Sequence, residues 1–294
     1  MSPLMRREAL AAYLFISLTI IGLIVFNLWP VLASLYYSFT EWDLFGAPKW
    51  IGVENYGKLL SDNLFKISLV NTSYYSVGSV SISVVLGLLL ALLMNQGLKG
   101  RSVFRSLFFL PNITPAVAVG VVWAWMYAPE FGLLDVLFKN LGLRTIPWLR
   151  STKWAMPSVI IMGTWGSVGY NMVIFLAGLQ NIPGDYYEAA RIDGAGSLQC
   201  FRWVTLPLLS PTTFFIVVIS LIGSFQLFSA VYVMTAGGPG TSTLTMILYL
   251  YRNGFQYFRM GYASAIAYAL FVLLLALTIA QFRLQRLWVY YELV

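Results

Sequence analysis

YYEAARIDGAGSLQCFRWVTLPLLSP, residues 186 to 211, places Glu188, Arg191, Asp193, Gly194, Gly196 and a Leu206-Pro207 pair between two long apolar runs. The runs on either side, 155–181 and 208–235, carry no Asp, Glu, Lys or Arg. Each covers a hydrocarbon core of roughly 30 Å at about 1.5 Å per helical residue. The polar stretch is therefore a loop between two membrane spans. Asp185 is expected to cap a short helix with Glu188 three residues on, after Pro183 and Gly184 have ended the preceding span. Gly194 and Gly196 stop that helix, and Ser197 is expected to cap a second one running to Pro207. The first helix would present Tyr186, Tyr187, Ala189, Ala190 and Ile192, small and aromatic side chains suited to a groove on another protein. Two alternatives are a solvated loop without a partner and a helix-turn-helix for DNA. The second fits poorly between two spans with so few basic residues.

The same logic extends along the chain. Of 294 residues, 59% are hydrophobic and 10% charged, against about 25% charged in a soluble domain. Uncharged runs at 9–33, 67–95, 106–128, 155–181, 208–235 and 261–282 predict six transmembrane helices in a single transmembrane domain, 1–294, with residues 182–207 as the polar loop. Arg6 and Arg7 before the first run resemble a signal-peptide n-region, but the run is longer than the about 7–15 residues of an h-region, so it is kept as a span. Trp29, Trp42, Trp123, Trp125 and Trp154 read as interfacial anchors. With the N-terminus in the cytoplasm, Lys99 and eight of the twelve arginines fall inside, making 9 of 18 basic residues on each side. The arginine density in the shorter segments leans inward. The net charge of +7 is scattered, which suits acidic lipid and not nucleic acid.

Several chemistries are excluded by residue type. There is no histidine and one cysteine, Cys200, so histidine catalysis, haem ligation through histidine and thiolate metal clusters have no ligands here. The spans hold no ionisable acid or base for proton coupling. No GxxxxGK[ST] motif occurs, so uphill transport by this chain draws energy from a partner or from sodium coupled through carbonyls and hydroxyls.

EAARIDGAG (Glu188 to Gly196) followed by Leu206-Pro207, with NIPGDYYE before it, resembles the EAA loop of binding-protein-dependent ABC transporter permeases. WDLFGAPKWIGVENY (42–56), FLPNITPAVAVGVVW (109–123) and VYVMTAGGPGTSTL (231–244) are similar to the carbohydrate-uptake branch, relatives of the maltose-transporter permease. The resemblance implies an all-α membrane protein of six transmembrane helices with a cytoplasmic coupling helix, in a bacterial or archaeal plasma membrane. It implies no cofactor in this chain, with ATP and magnesium on a partner ATPase dimer. It also implies a second permease subunit, an extracytoplasmic solute-binding protein and a sugar substrate. Tyr187, Glu188, Ala189, Ala190, Asp193 and Gly194 would contact the ATPase. Gly163, Gly166, Ser167, Tyr170, Ser220, Ser224 and Leu227 would line the substrate path, the last three sharing one helix face at i, i+4, i+7. Amides expected from the maltose pattern are missing at Gly163, Ser224 and Leu227. For Ser220 and Ser224, tight helix packing stands beside substrate contact. An uncharged path favours a neutral saccharide over a phosphate ester. A secondary transporter and a docking protein without transport remain the competing classes.

Overall fold

The computed structural model describes residues 3–96 and 100–291. Lys99 lies outside them, as do the side chains of Arg6 and Arg7. In chain order the helices are α1 (Pro3–Leu23), α2 (Trp29–Ser38), α3 (Glu54–Ser61), α4 (Asn63–Asn95), α5 (Arg101–Ile113), α6 (Ala116–Met126), α7 (Leu133–Asn140) and α8 (Ala155–Gln180). They continue as α9 (Gly184–Ile192), α10 (Ser197–Cys200), α11 (Leu206–Leu208), α12 (Ser210–Phe225), α13 (Ser229–Met234), α14 (Met246–Tyr251) and α15 (Met260–Leu284). A two-residue hairpin, β1 (Thr40–Glu41) and β2 (Lys49–Trp50), follows α2.

Among the described residues, four continuous helices are long and apolar enough to cross a membrane, and two bent pairs bring the number to six if each pair is one span. The run expected at 106–128 falls within the first bent pair, Arg101–Ile113 with Ala116–Met126, and the run expected at 208–235 overlaps the second, Ser197–Leu208 with Ser210–Phe225. α5 and α6 meet at 98°. Thr114 there is extended (ψ 136°), the conformation favoured for a residue before proline, here Pro115. α12 ends at Phe225, so Leu227 lies beyond the helix and does not continue the face of Ser220 and Ser224. The Thr245 hydroxyl donates to the Leu227 carbonyl at that break, 3.0 Å.

Proline also explains two wider turns. Pro30 and Pro207 each lack the N–H that would bond four residues back, and their rings crowd that carbonyl. In both places the helix opens into a π turn, Ile24–Leu28 and Phe201–Thr205, and the residue before the proline bonds five back: Trp29 to Ile24 and Leu206 to Phe201.

The chain forms two compact units, 1–62 with 250–270, and 63–249 with 271–294. In the first, Asn55 donates to the carbonyls of Ser38 (3.0 Å) and Thr40 (2.9 Å), fixing the turn into the hairpin. Asp43 accepts from the N–H groups of Gly46 and Phe45, which hold its carboxyl below the usual carboxylate range. Trp42 stacks on Tyr37 with centroids 4.2 Å apart.

The second unit is built on α4 against α8, with α5 packed on α8 and α12 packed on both. Lipid supplies no hydrophobic drive between helices, so small residues that let backbones approach decide the packing. α4 buries Ser68, Thr72, Ser76, Ser79, Ser83, Gly87 and Ala91, spaced three or four apart along one face. A Cβ on Gly87 would lie 2.7 Å from that of Asn171, and one on Gly178 2.5 Å from the Thr212 hydroxyl. Trp123, expected as an interfacial anchor, is instead buried between Tyr127 and Trp165.

Candidate functional site

The loop expected to couple to a partner forms two helices, but neither is capped as expected. Pro183, at φ −61° and ψ 140°, occupies the N-cap of α9, so the helix starts two residues early and Asp185 sits inside its first turn without a side-chain cap bond. Its charge there still complements the helix dipole, as Arg191 does in the last turn. Glu188 falls mid-helix and exposed, past the free amides it was expected to reach. For α10 the N-cap is Gly196, whose N–H donates to the Gln199 side chain at 2.7 Å, and Ser197 is the first helical residue.

The C-terminal stop is as expected. Gly194 is left-handed, φ +83°. Its N–H bonds the Arg191 carbonyl (3.0 Å) and the Ala195 N–H bonds that of Ala190 (2.9 Å), the paired bonds of a Schellman ending. Glu188, Ala189, Asp193 and Gly194 are exposed, Ala190 is half-buried, and Ile192 is 86% exposed. Tyr187 points the other way. It packs on the core formed by Ala91, Met172, Phe175 and Leu209, and its hydroxyl is 3.1 Å from that of Thr205. α9 therefore has one face on solvent and one aromatic side chain seated in the bundle.

The second candidate region is a cleft of about 200 Å³ where α4, α8 and α12 meet. It gathers Gly163, Ser167, Tyr170, Ser220 and Ser224, five of the seven residues expected on the path. Gly166 and Leu227 are not among its walls. Sequence reasoning missed Tyr75, Ser79, Ser83 and Asn171. The spacing of hydroxyl residues on α4 carried the signal for the serines. Gly163 has a physical reason to be glycine, since a Cβ there would overlap the Tyr75 hydroxyl. Asn171 supplies an amide and donates to Ser83 Oγ at 3.2 Å. Ser167 donates to the Gly163 carbonyl (2.9 Å) and Ser79 to that of Tyr75 (2.7 Å), leaving oxygen lone pairs to accept from a ligand. Ser224 is different. Its hydroxyl lies 2.5 Å from that of Ser76 and the residue is buried, so it joins α12 to α4. No Asp, Glu, Lys or Arg lines the cleft.

Residues 83–288 match the family described as binding-protein-dependent transport system inner membrane component. The chain belongs to this family. It is 39% identical to the probable ABC transporter permease YesP of Bacillus subtilis, over 98% of this chain and 94% of that protein. The trehalose/maltose transport system permease MalF of Thermococcus litoralis is 35% identical, covering 97% of each chain. The sn-glycerol-3-phosphate permease UgpA of Agrobacterium fabrum is 35% identical over 92% of this chain and 93% of its own. A solved bacterial ABC transporter importing the acidic polysaccharide alginate superposes with a TM-score of 0.84 at 24% identity, over 95% of this chain and 96% of that one, and so shares the fold. The chain is a membrane-embedded ABC permease subunit that does not itself catalyse ATP hydrolysis.

Proposed function

We propose that the chain acts as one permease domain of an ATP-driven importer for a neutral sugar or oligosaccharide, in the bacterial or archaeal inner membrane with its N-terminus in the cytoplasm. A second permease subunit, an ATPase dimer that binds ATP and magnesium, and an external solute-binding protein complete the machine. The observation that carries the solute class is the uncharged cleft of hydroxyls and one amide. Such groups pair with sugar hydroxyls at low desolvation cost, whereas a phosphate ester buried there would lack a cation. The relatives leave both classes open: MalF is named for trehalose and maltose, UgpA for glycerol phosphate.

In this reading Glu188, Ala189, Ala190, Asp193 and Gly194 meet the ATPase, while Tyr187 carries the motion of α9 into the bundle through Thr205 and the core beneath it. α11 and α12 meet at a 60° bend at Leu209, so displacement of the loop re-aims the helix that carries Ser220.

The test is uptake by the reconstituted importer with its binding protein. Labelled neutral disaccharides and arabinooligosaccharides are expected to enter and to be competed by one another, with glycerol phosphate failing to compete. Competition by glycerol phosphate alone would overturn the neutral assignment. Within the cleft, Ser220→Phe should cut uptake about tenfold or more at near-normal membrane abundance, since it fills the space. Ser224→Phe should lower both together by breaking the contact with Ser76. Equal losses for Ser220→Phe would make that residue a packing position.

A further inference from the structure

A further polar pocket lies outside the solute cleft and the coupling loop. It encloses about 260 Å³ and is lined by Arg101, Ser102 and Arg105 of α5, Gln180 at the end of α8, and the apolar Met94 and Leu176 behind them. Arg101 and Arg105 are one helical turn apart and make no ion pair among the described residues. The helix that carries them begins at Arg101, so its free amides add to the positive end. This pocket has the composition of an anion site.

The same three helices also line an apolar groove of about 660 Å³. On α4, Leu86 and Leu90 of the groove precede Met94 of the pocket by two turns and one. On α5, Leu107 and Phe108 of the groove follow Arg105 within one turn, and on α8, Val168 precedes Leu176 by two turns. A cationic head pocket is thus followed along α4, α5 and α8 by an apolar channel. That juxtaposition matches an amphiphile with an anionic head and a hydrocarbon tail. Gln180 is four residues before α9, so the head lies at the end of the bundle that carries the coupling loop.

We infer that Arg101, Arg105, Ser102 and Gln180 hold the phosphate of an anionic phospholipid of the phosphatidylglycerol type, with an acyl chain along Leu86, Leu90, Leu107 and Phe108. A basic pocket between transmembrane helices recognises such headgroups by charge, and each buried methylene of the tail adds to the affinity. The inference does not depend on which solute is carried.

The complete importer is placed in nanodiscs of phosphatidylcholine with a minor fraction of phosphatidylglycerol, and lipid retained after release is counted by native mass spectrometry. Phosphatidylglycerol should be retained over phosphatidylcholine, and Arg101→Gln with Arg105→Gln together should lower that retention about thirtyfold, from roughly 1 kcal/mol for each of the two basic residues at a membrane surface. Leu107→Trp, which narrows the channel without changing charge, should lower it independently. Four results would overturn the assignment: unchanged retention in the double arginine variant, equal retention of phosphatidylcholine, displacement by inorganic phosphate alone, or retention by the isolated chain that vanishes in the complex. The third would mark a free-anion site and the fourth a surface covered by a partner chain.

Discussion

Replacing Gly169 by valine is expected to leave little folded protein in the membrane, while the same change at Gly166, less than one turn away, leaves normal amounts. A Cβ on Gly169 would overlap the Phe108 carbonyl group of α5, and would lie 3.0 Å from the Phe109 Cα. These are backbone atoms, so a rotamer change does not relieve the overlap; α5 as a whole must move off α8. Such overpacking costs about 3 kcal/mol or more, at the upper end of what core insertions produce. That is a large share of the roughly 5–15 kcal/mol by which folded domains are stable. Around Gly166 there is no atom within 4 Å of where a Cβ would sit, so a valine there meets open space. Fluorescence-detected size exclusion of tagged variants reads the difference directly. Equal recovery of the two would show that α5 and α8 do not pack as closely as described.

Gly194→Val should act on coupling and leave insertion intact. The residue closes α9 at φ +83°, where a β-branched side chain is strained by about 1–2 kcal/mol. Relieving that strain breaks the bonds from Gly194 and Ala195 to the last turn and re-aims α9. Space is not the issue, because nothing lies within 4 Å of the Cβ position. The expected result is near-normal abundance with solute-stimulated ATP hydrolysis reduced about tenfold or more, since about 1.4 kcal/mol corresponds to a factor of ten. Glu188→Ala should give a milder loss. Glu188 is exposed in the middle of α9, with no capping role whose removal would unravel the helix. An effect there would report a contact with the partner. Normal ATPase attachment and stimulation in both variants would remove the coupling role from this loop.

The apolar runs and the polar loop were legible because length and charge alone locate them. What those runs concealed was their interruption. The bend before α6 has a mark in Thr114-Pro115, since a residue before proline is biased away from the helical region, although Trp29 and Leu206 stay helical before Pro30 and Pro207. The end of α12 at Phe225 carries no such mark: no proline follows Ser224 until Pro239, and Leu227 consequently reads as one more turn of helix. At α9 the expected cap differs from the observed one because Asp185 has the better capping side chain, yet Pro183 already holds the extended conformation an N-cap needs. Five expected path residues meet at one cleft because α8 and α12 pack on the same side of α4. The α4 wall is harder to see although its serines recur at helical spacing, because hydroxyls inside a span read first as packing.

If α9 is the surface on which the ATPase subunit sits, its exposed Ile192 offers a direct probe, since the chain's only cysteine, Cys200, is buried. Ile192→Cys should react readily with a membrane-impermeant maleimide in inside-out vesicles holding the permease alone, and become strongly protected when the ATPase subunit is bound. Labelling that is unchanged by the ATPase, or that occurs only from the opposite side of the membrane, would contradict this placement of α9.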